Sequence, residues 1–217
     1  MSITILLADD HKLVREGLCS MLEKETDMVV MAQTDNGREA ARLADKLNPD
    51  IVVLDINMPD LNGIDAAKLI RKNNPDIRII ALSVHSGRRF VTGMLKAGAA
   101  GYLVKHCAYE ELARAIRLVA DNKFYLSPQI HGVMIKDCIS NSLENQDIFS
   151  SILTPREREV LQLVAEGTKS KDIAARLFVS IKTISTHRQQ IMTKLNLNNV
   201  AELTLFAIRE GLISIDD

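Results

Sequence analysis

The chain is poor in the residues that staple small extracellular or metal-rich folds. Of its 217 residues only three are cysteines, Cys19, Cys107 and Cys138, and no two form a C-x-x-C pair. An odd, unpaired set predicts buried or inert thiols rather than a disulfide framework, and with them a cytoplasmic setting. The five histidines have no metal-ligand spacing, so a zinc site is not expected. Long apolar runs are missing as well. The longest are strand-sized and end in charge, which predicts neither a secretory leader nor a membrane span. Neither sign of charge is in excess, with 27 Lys+Arg against 28 Asp+Glu. What remains, 47% hydrophobic and 25% charged, is ordinary globular composition, and the length suits one large domain or two small ones.

The near-neutral total hides an uneven distribution. Residues 1–130 balance at 17 Lys+Arg and 17 Asp+Glu. Residues 168–200 hold Lys169, Lys171, Arg176, Lys182, Arg188 and Lys194 against Asp172 alone. A basic patch on one part of a neutral chain fits either a polyanion partner for that part or a solvated helix surface.

The hydrophobic pattern also divides the chain. Short Ile- and Val-rich runs at ITILLA (3–8), MVVMA (28–32), DIVVLDI (50–56), IRIIALSV (77–84) and GYLVK (101–105) read as strands buried on both faces, because they are continuous rather than alternating. Helical spacing fills the gaps, as at Val14, Leu18, Met21 and Leu22, or Leu112, Ala115, Ile116 and Val119. This predicts an α/β domain over 1–127, a doubly wound five-stranded parallel sheet. Ser127-Pro128 then looks like a helix start, with Ile130, Val133 and Met134 inward to about residue 139, and the polar SNSLENQD reads as linker; 128–150 is expected to connect two domains. Residues 151–217 lack strand signal. Thr154-Pro155-Arg156-Glu157 is a capping box with proline at the first helical position, and this helix should stop at Gly167. Further helices are expected at about 171–177, 181–195 and 200–210, the middle pair forming a helix-turn-helix in an all-α four-helix domain.

Chemistry is expected where strands end. Ligands of doubly wound sheets bind at the C-terminal strand edge near a topological switch point. Strand one ends in Asp9 and Asp10, strand three in Asp55, strand four in Ser83 and strand five in Lys105. Clustered carboxylates cannot all ionise cheaply without a cation. Oxygen ligands suit Mg2+, which shares its shell with water and phosphate. A lysine and a hydroxyl would hold phosphoryl oxygens, and Asp55, alone on a central strand, is the best carboxylate nucleophile toward phosphorus.

The motifs that carry these residues, ADD at 8–10, VVLDINMPDLNG at 52–63, LSVHS at 82–86 and KAGAAGYLVK at 96–105, resemble the receiver domain of bacterial two-component response regulators, with its CheY-like fold. The resemblance implies that Asp55 accepts a phosphoryl group from a histidine kinase. It implies that Asp10, Asp55 and the Asn57 carbonyl hold Mg2+, with Asp9 acting through water, and that Ser83 and Lys105 bind the phosphoryl group. Tyr102 is similar to the aromatic switch residue that turns inward with Ser83; packing against an outer strand is the alternative. Asn57 and His85 stand at positions that influence phosphoryl lifetime in the family. His11 and His106 read as surface or hydrogen-bonding residues. A Mg2+-dependent phosphohydrolase is the rival reading, but it would need an acid two residues past Asp55, where Asn57 stands.

The segment LTPREREVLQLVAEGTKSKDIAARLFVSIKTISTHRQQIMTKL at 153–195 resembles the LuxR-type helix-turn-helix of the NarL/FixJ class. This implies a transcription regulator rather than an enzyme, binding double-stranded DNA as a homodimer once activated. Lys182, Ser185, Thr186 and Gln189 occupy base-facing positions, while Lys169, Thr183, Arg188 and Lys194 are expected at phosphates. His187 reads as a packing or backbone-contact residue. The final helix, through Val200, Leu203, Ala207 and Ile208, is either a dimer face or core. Several relatives have lysine where this chain has Ser185 and Gln189, which predicts weaker phosphate attraction.

Overall fold

A computed structural model describes residues 2–132, 152–197 and 199–213 of the chain. It divides into two compact units, Met1–Ser142 and Leu143–Asp217.

The first unit alternates strand and helix: β1 (Ile3–Ala8), α1 (Lys12–Leu22), β2 (Met28–Thr34), α2 (Gly37–Leu47), β3 (Ile51–Asp55), α3 (Gly63–Asn73), β4 (Arg78–Ser83), α4 (Arg88–Lys96), β5 (Gly101–Val104), a 3-10 turn at Lys105–Cys107, α5 (Ala108–Ala120) and β6 (Tyr125–Leu126). All neighbouring strands pair in parallel, in the order β2-β1-β3-β4-β5-β6. Successive side chains of a strand point to opposite faces, and the core follows that rule. Leu6 and Ala8 join Val52, Leu54 and the small faces of α2 and α3 on one side. Ile5 and Leu7 join Val53, Leu18, Leu112 and Ile116 on the other. The parallel α/β architecture is as expected from the runs of Ile and Val.

Two details differ from expectation. The sheet has six strands rather than five: Tyr125 and Leu126 pair with Gly101 and Tyr102, and Ser127 continues with a backbone bond to the Tyr102 carbonyl of 2.9 Å. A two-residue strand is too short to carry a hydrophobic period, so the pattern did not reveal it. β2 is not buried on both faces either. It is an edge strand on which Val29 and Met31 are 48% and 42% exposed, so its residues alternate although its sequence is continuously apolar. Residues 128–132 are helical and Ile130 is fully buried in the core that holds Tyr102 and Val104. The remainder of the expected 128–139 helix, and the polar linker, lie outside the described residues.

The second unit has four described helices: α6 (Pro155–Ala165), α7 (Ser170–Arg176), α8 (Ile181–Leu195) and α9 (Val200–Arg209). The Thr154 capping box forms with Glu157, and α6 is followed by Gly167 at φ 78°, the left-handed conformation that glycine adopts without a Cβ penalty. Ser180 caps α8 by accepting from the Thr183 N–H at 3.0 Å. Val160, Leu161, Ile173, Ile184 and Ile191 form its core. Leu203 and Ala207, considered for a dimer face, are buried in this same core, whereas Val200 and Leu205 of α9 are exposed.

Candidate functional site

The order reversal between β1, with β2 on one side, and β3 on the other marks the switch point, and the acidic strand ends lie there. Each strand end is shaped by local constraints. The β3–α3 loop folds back so tightly that a Cβ on Gly63 would lie 2.0 Å from the Asp55 carbonyl oxygen; Gly63 N donates to the Ile56 carbonyl at 2.8 Å. Asn62 caps α3 by accepting from the Asp65 N–H at 3.0 Å. At the end of β1, Asp9 N bonds the Thr34 carbonyl of β2, and the Asp9 carboxylate accepts from His11 N at 2.9 Å.

These constraints bring Asp9, Asp10, Asp55 and Lys105 together across almost a hundred residues. Asp9 is fully buried and Asp55 is 2% exposed. Lys105 Nζ lies 2.7 Å from Asp55 Oδ2 and 2.9 Å from Asp9 Oδ2. Burial above all pushes the Asp55 carboxyl up, to about 7; Lys105 opposes the shift, and the charges of Asp9 and Asp10 add to it. Burial also works against the Lys105 ammonium, but Asp55 and Asp9 outweigh it and hold that group above the ordinary lysine range. One lysine cannot satisfy three carboxylates. One donor atom from each of Asp9, Asp10, His11 and Asp55 falls within 4.8 Å of the others, and the three carboxylates among them are the oxygen donors that a hard divalent cation takes.

The hydroxyl side of the pocket is equally connected. Ser83 is 1% exposed and its Oγ accepts from His85 N at 3.0 Å. Tyr102 is fully buried, and its hydroxyl donates to the His85 carbonyl at 2.6 Å. Burial pushes the phenol up to about 12, against a hydrogen bond with Ser83 that favours its anion. Tyr102 lies inward, and β6 flanks the strand that carries it. His85 stacks on Phe90 with ring centroids 4.3 Å apart, and its Nε2 lies 2.8 Å from Asn57 Nδ2; burial lowers its pKa.

His11 was expected as a surface or hydrogen-bonding residue, and it is both: half exposed, with Nδ1 2.6 Å from Asp10 Oδ1. Its place beside the acids was available from its position next to Asp10. His106 is exposed.

In the second unit, Lys182, Ser185, Thr186 and Gln189 are all exposed along one side of α8, as their spacing requires. Lys169 is exposed before α7, and Thr183 is half-buried with its Oγ1 2.8 Å from Ser180 Oγ. Arg188 reaches Ser170 Oγ at 3.4 Å. Lys194 is differently placed: its Nζ lies 2.7 Å from Glu157 Oε2. That carboxylate is buried and also accepts from Thr154 N at 2.8 Å, so Lys194 ties α8 to the cap of α6. Sequence spacing gave no sign of this pair, which is separated by 37 residues. His187 is half-buried, and its Nδ1 has no hydrogen-bond partner among the described residues. No described helix is long and apolar enough to cross a membrane.

Comparison with known proteins assigns a family to each unit. Residues 5–117 match the response regulator receiver domain, and residues 151–207 match the luxR family of bacterial regulatory proteins. The chain is 34% identical to the transcriptional regulatory protein DegU of Brevibacillus brevis, over 98% of this chain and 96% of that one. It is 36% identical to the oxygen regulatory protein NreC of Staphylococcus epidermidis, over 96% and 98% respectively. A solved structure of two RcsB dimers bound to two parallel DNAs is similar with a TM-score of 0.57 and 25% identity, over 95% of this chain and 98% of that one. The chain therefore belongs to the two-component response regulators that join a receiver to a LuxR-type helix-turn-helix, and it is a transcription regulator of that family.

Proposed function

We propose that Asp55 is the phosphoacceptor of this regulator and that its phosphorylation controls DNA binding. The observation that carries this reading is the convergence of a buried carboxylate on a single lysine beside two more acids, at the strand edge where the sheet order reverses. An Asp55 carboxylate oxygen attacks phosphorus of the kinase phosphohistidine. The P–N bond breaks as the acyl phosphate forms, and the imidazole leaves with the electron pair. Lys105 meets the charge on the transferring oxygens, and Ser83 offers a hydroxyl to one of them. Asp9, Asp10 and Asp55, with the Asn57 carbonyl, would hold Mg2+, which when bound neutralises charge on the phosphoryl group. Tyr102 stays hydrogen-bonded to the backbone that carries Ser83, so movement of that loop is felt by β5 and β6.

Residues 1–127 form the receiver in this reading, 128–150 the connection and 151–217 the DNA-binding domain. α8 enters the major groove, with Lys182, Ser185, Thr186 and Gln189 toward bases. Thr183, Arg188 and Lys169 face phosphates. Lys194 has a structural role, since its ammonium is already engaged. Double-stranded DNA is bound by a homodimer formed on activation, by analogy with the RcsB dimers solved on DNA. The partner upstream is a histidine kinase, and the setting is the cytoplasm.

The test is intact mass after incubation with Mg2+ and a small acyl-phosphate donor, beside Asp55→Asn. One added phosphoryl group on the wild type alone, accompanied by tighter DNA binding, is the expected result. Addition at another residue, or DNA affinity indifferent to the added group, would overturn the assignment.

A further inference from the structure

The imidazole of His11 has no part in the phosphoryl transfer described above, yet it is aimed into the same pocket. His11 stands at the N-cap of α1, where Ser, Thr, Asp or Asn usually accepts a hydrogen bond from the first turn. Its side chain makes no such bond. The ring turns back instead. Nδ1 lies 2.6 Å from Asp10 Oδ1, 3.3 Å from Asp9 Oδ1 and 3.9 Å from Asp55 Oδ2. Lys105 Nζ is 3.3 Å from the same nitrogen. Its backbone is fixed there, because His11 N donates to Asp9 Oδ1 and the His11 carbonyl accepts from Arg15 N.

Mg2+ has no use for that nitrogen. It is a hard ion that takes oxygen ligands and keeps several waters. Imidazole instead favours borderline ions such as Ni2+, Co2+ and Zn2+, whose affinity for mixed nitrogen and oxygen sites follows the Irving–Williams order. We infer that His11 is a nitrogen ligand that makes this pocket a second kind of metal site, one that binds an imidazole-favouring divalent ion through Nδ1 and the carboxylates of Asp9, Asp10 and Asp55. The inference rests on the acidic pocket being the cation site of the proposed function. Such an ion competes with Mg2+ for the same carboxylates, so the pocket is sensitive to which metals are available and not only to phosphate supply.

Calorimetric titration of the full-length protein with Ni2+ and, separately, with Mg2+ tests it, using wild type, His11→Ala and Asp10→Asn. His11→Ala should weaken Ni2+ binding by about tenfold or more, the scale on which metal-site substitutions act, and leave Mg2+ affinity within about threefold, since Mg2+ prefers oxygen. The unchanged Mg2+ affinity also reports that the pocket is still folded. Asp10→Asn should weaken both ions, which places the Ni2+ in the pocket rather than on another histidine. Equal loss of both ions in His11→Ala, or no loss of Ni2+, overturns the inference and leaves the proposed function standing. Absence of any Asp10-dependent Mg2+ binding in the wild type overturns both.

Discussion

Replacing Asp55 by Asn should stabilise the metal-free receiver at neutral and alkaline pH. The carboxylate has an ordinary pKa of 3.8 when unfolded and about 7 in the fold. A raised carboxylate means that the folded state holds its proton more tightly than the unfolded chain does. Well below pH 3.8 both states are protonated and the group costs nothing. As pH rises through the window from about 4 to about 7, the unfolded chain ionises first, and stability falls by about 1.4 kcal/mol per pH unit. Above pH 7 the cost levels off at roughly 4 kcal/mol, of which nearly 3 kcal/mol accrues between pH 5 and pH 8. Asn has the same shape and no charge to lose. Urea unfolding of both proteins without divalent ions, followed by circular dichroism, measures the difference; the transition that added Mg2+ moves to higher urea identifies the receiver. The variant should match the wild type within about 1 kcal/mol near pH 4 and exceed it by a few kcal/mol at pH 8. A variant that is no more stable at pH 8, or whose advantage is the same at both ends, would refute the claim that burial and neighbouring acids strain Asp55.

Four further outcomes are expected. Lys169→Gln should lower the slope of log affinity for DNA against log salt by about 0.9, as loss of one phosphate contact does. Lys194→Gln should leave that slope unchanged while lowering the thermal stability of the DNA-binding unit by about 1–2 kcal/mol, since it strands the buried Glu157 carboxylate. Gly63→Ala should destabilise the receiver by about 3 kcal/mol or more in the same urea assay, because the new Cβ meets the Asp55 carbonyl and the loop must shift to admit it. Tyr102→Phe removes the donor to the His85 carbonyl and should cost about 1 kcal/mol, with faster amide exchange in the β4–α4 loop as a local readout.

The legible parts of the fold were those set by strong periodicity. Continuous Ile and Val runs gave β1, β3, β4 and β5, and their terminal residues named most of the pocket, because a parallel sheet places all its C-terminal strand ends on one edge. The capping box and Gly167 gave both ends of α6 for the same reason: cap chemistry is local. What could not be read depended on distant partners. β6 is two residues long and exists by pairing with β5. The alternation of β2 follows from its edge position, which strand order decides and composition does not. Glu157 looked like a capping residue and Lys194 like a phosphate contact; only the packing of α8 on α6 makes them a pair. His11 lies beside Asp10 in the chain, but whether its ring caps α1 or turns into the pocket depends on where Asp55 and Lys105 arrive.

The two units handle charge in opposite ways, and this says where the proposed signal is stored. In the DNA-binding unit the buried Glu157 is neutralised by Lys194 and by the N–H and hydroxyl of Thr154, so that carboxylate is not poised to respond to a new charge. In the receiver Lys105 meets Asp9 and Asp55 while Asp10 meets His11, and burial with the neighbouring acids disfavours ionisation of Asp55. In the proposed mechanism a change of charge at Asp55 moves a neighbouring element only if the two are connected. From Ser83 onward hydrogen bonds supply a route: Ser83 holds His85 N, the His85 carbonyl holds the Tyr102 hydroxyl, and the Tyr102 carbonyl accepts from Ser127 N at the end of β6. Ser127 in turn donates from Oγ to Glu111 of α5 at 2.7 Å, and Ile130 is buried three residues further on. In the proposed mechanism a displacement of Ser83 would therefore be passed to the start of the segment after β6 through the side chains of Ser83 and Tyr102 and one strand pairing.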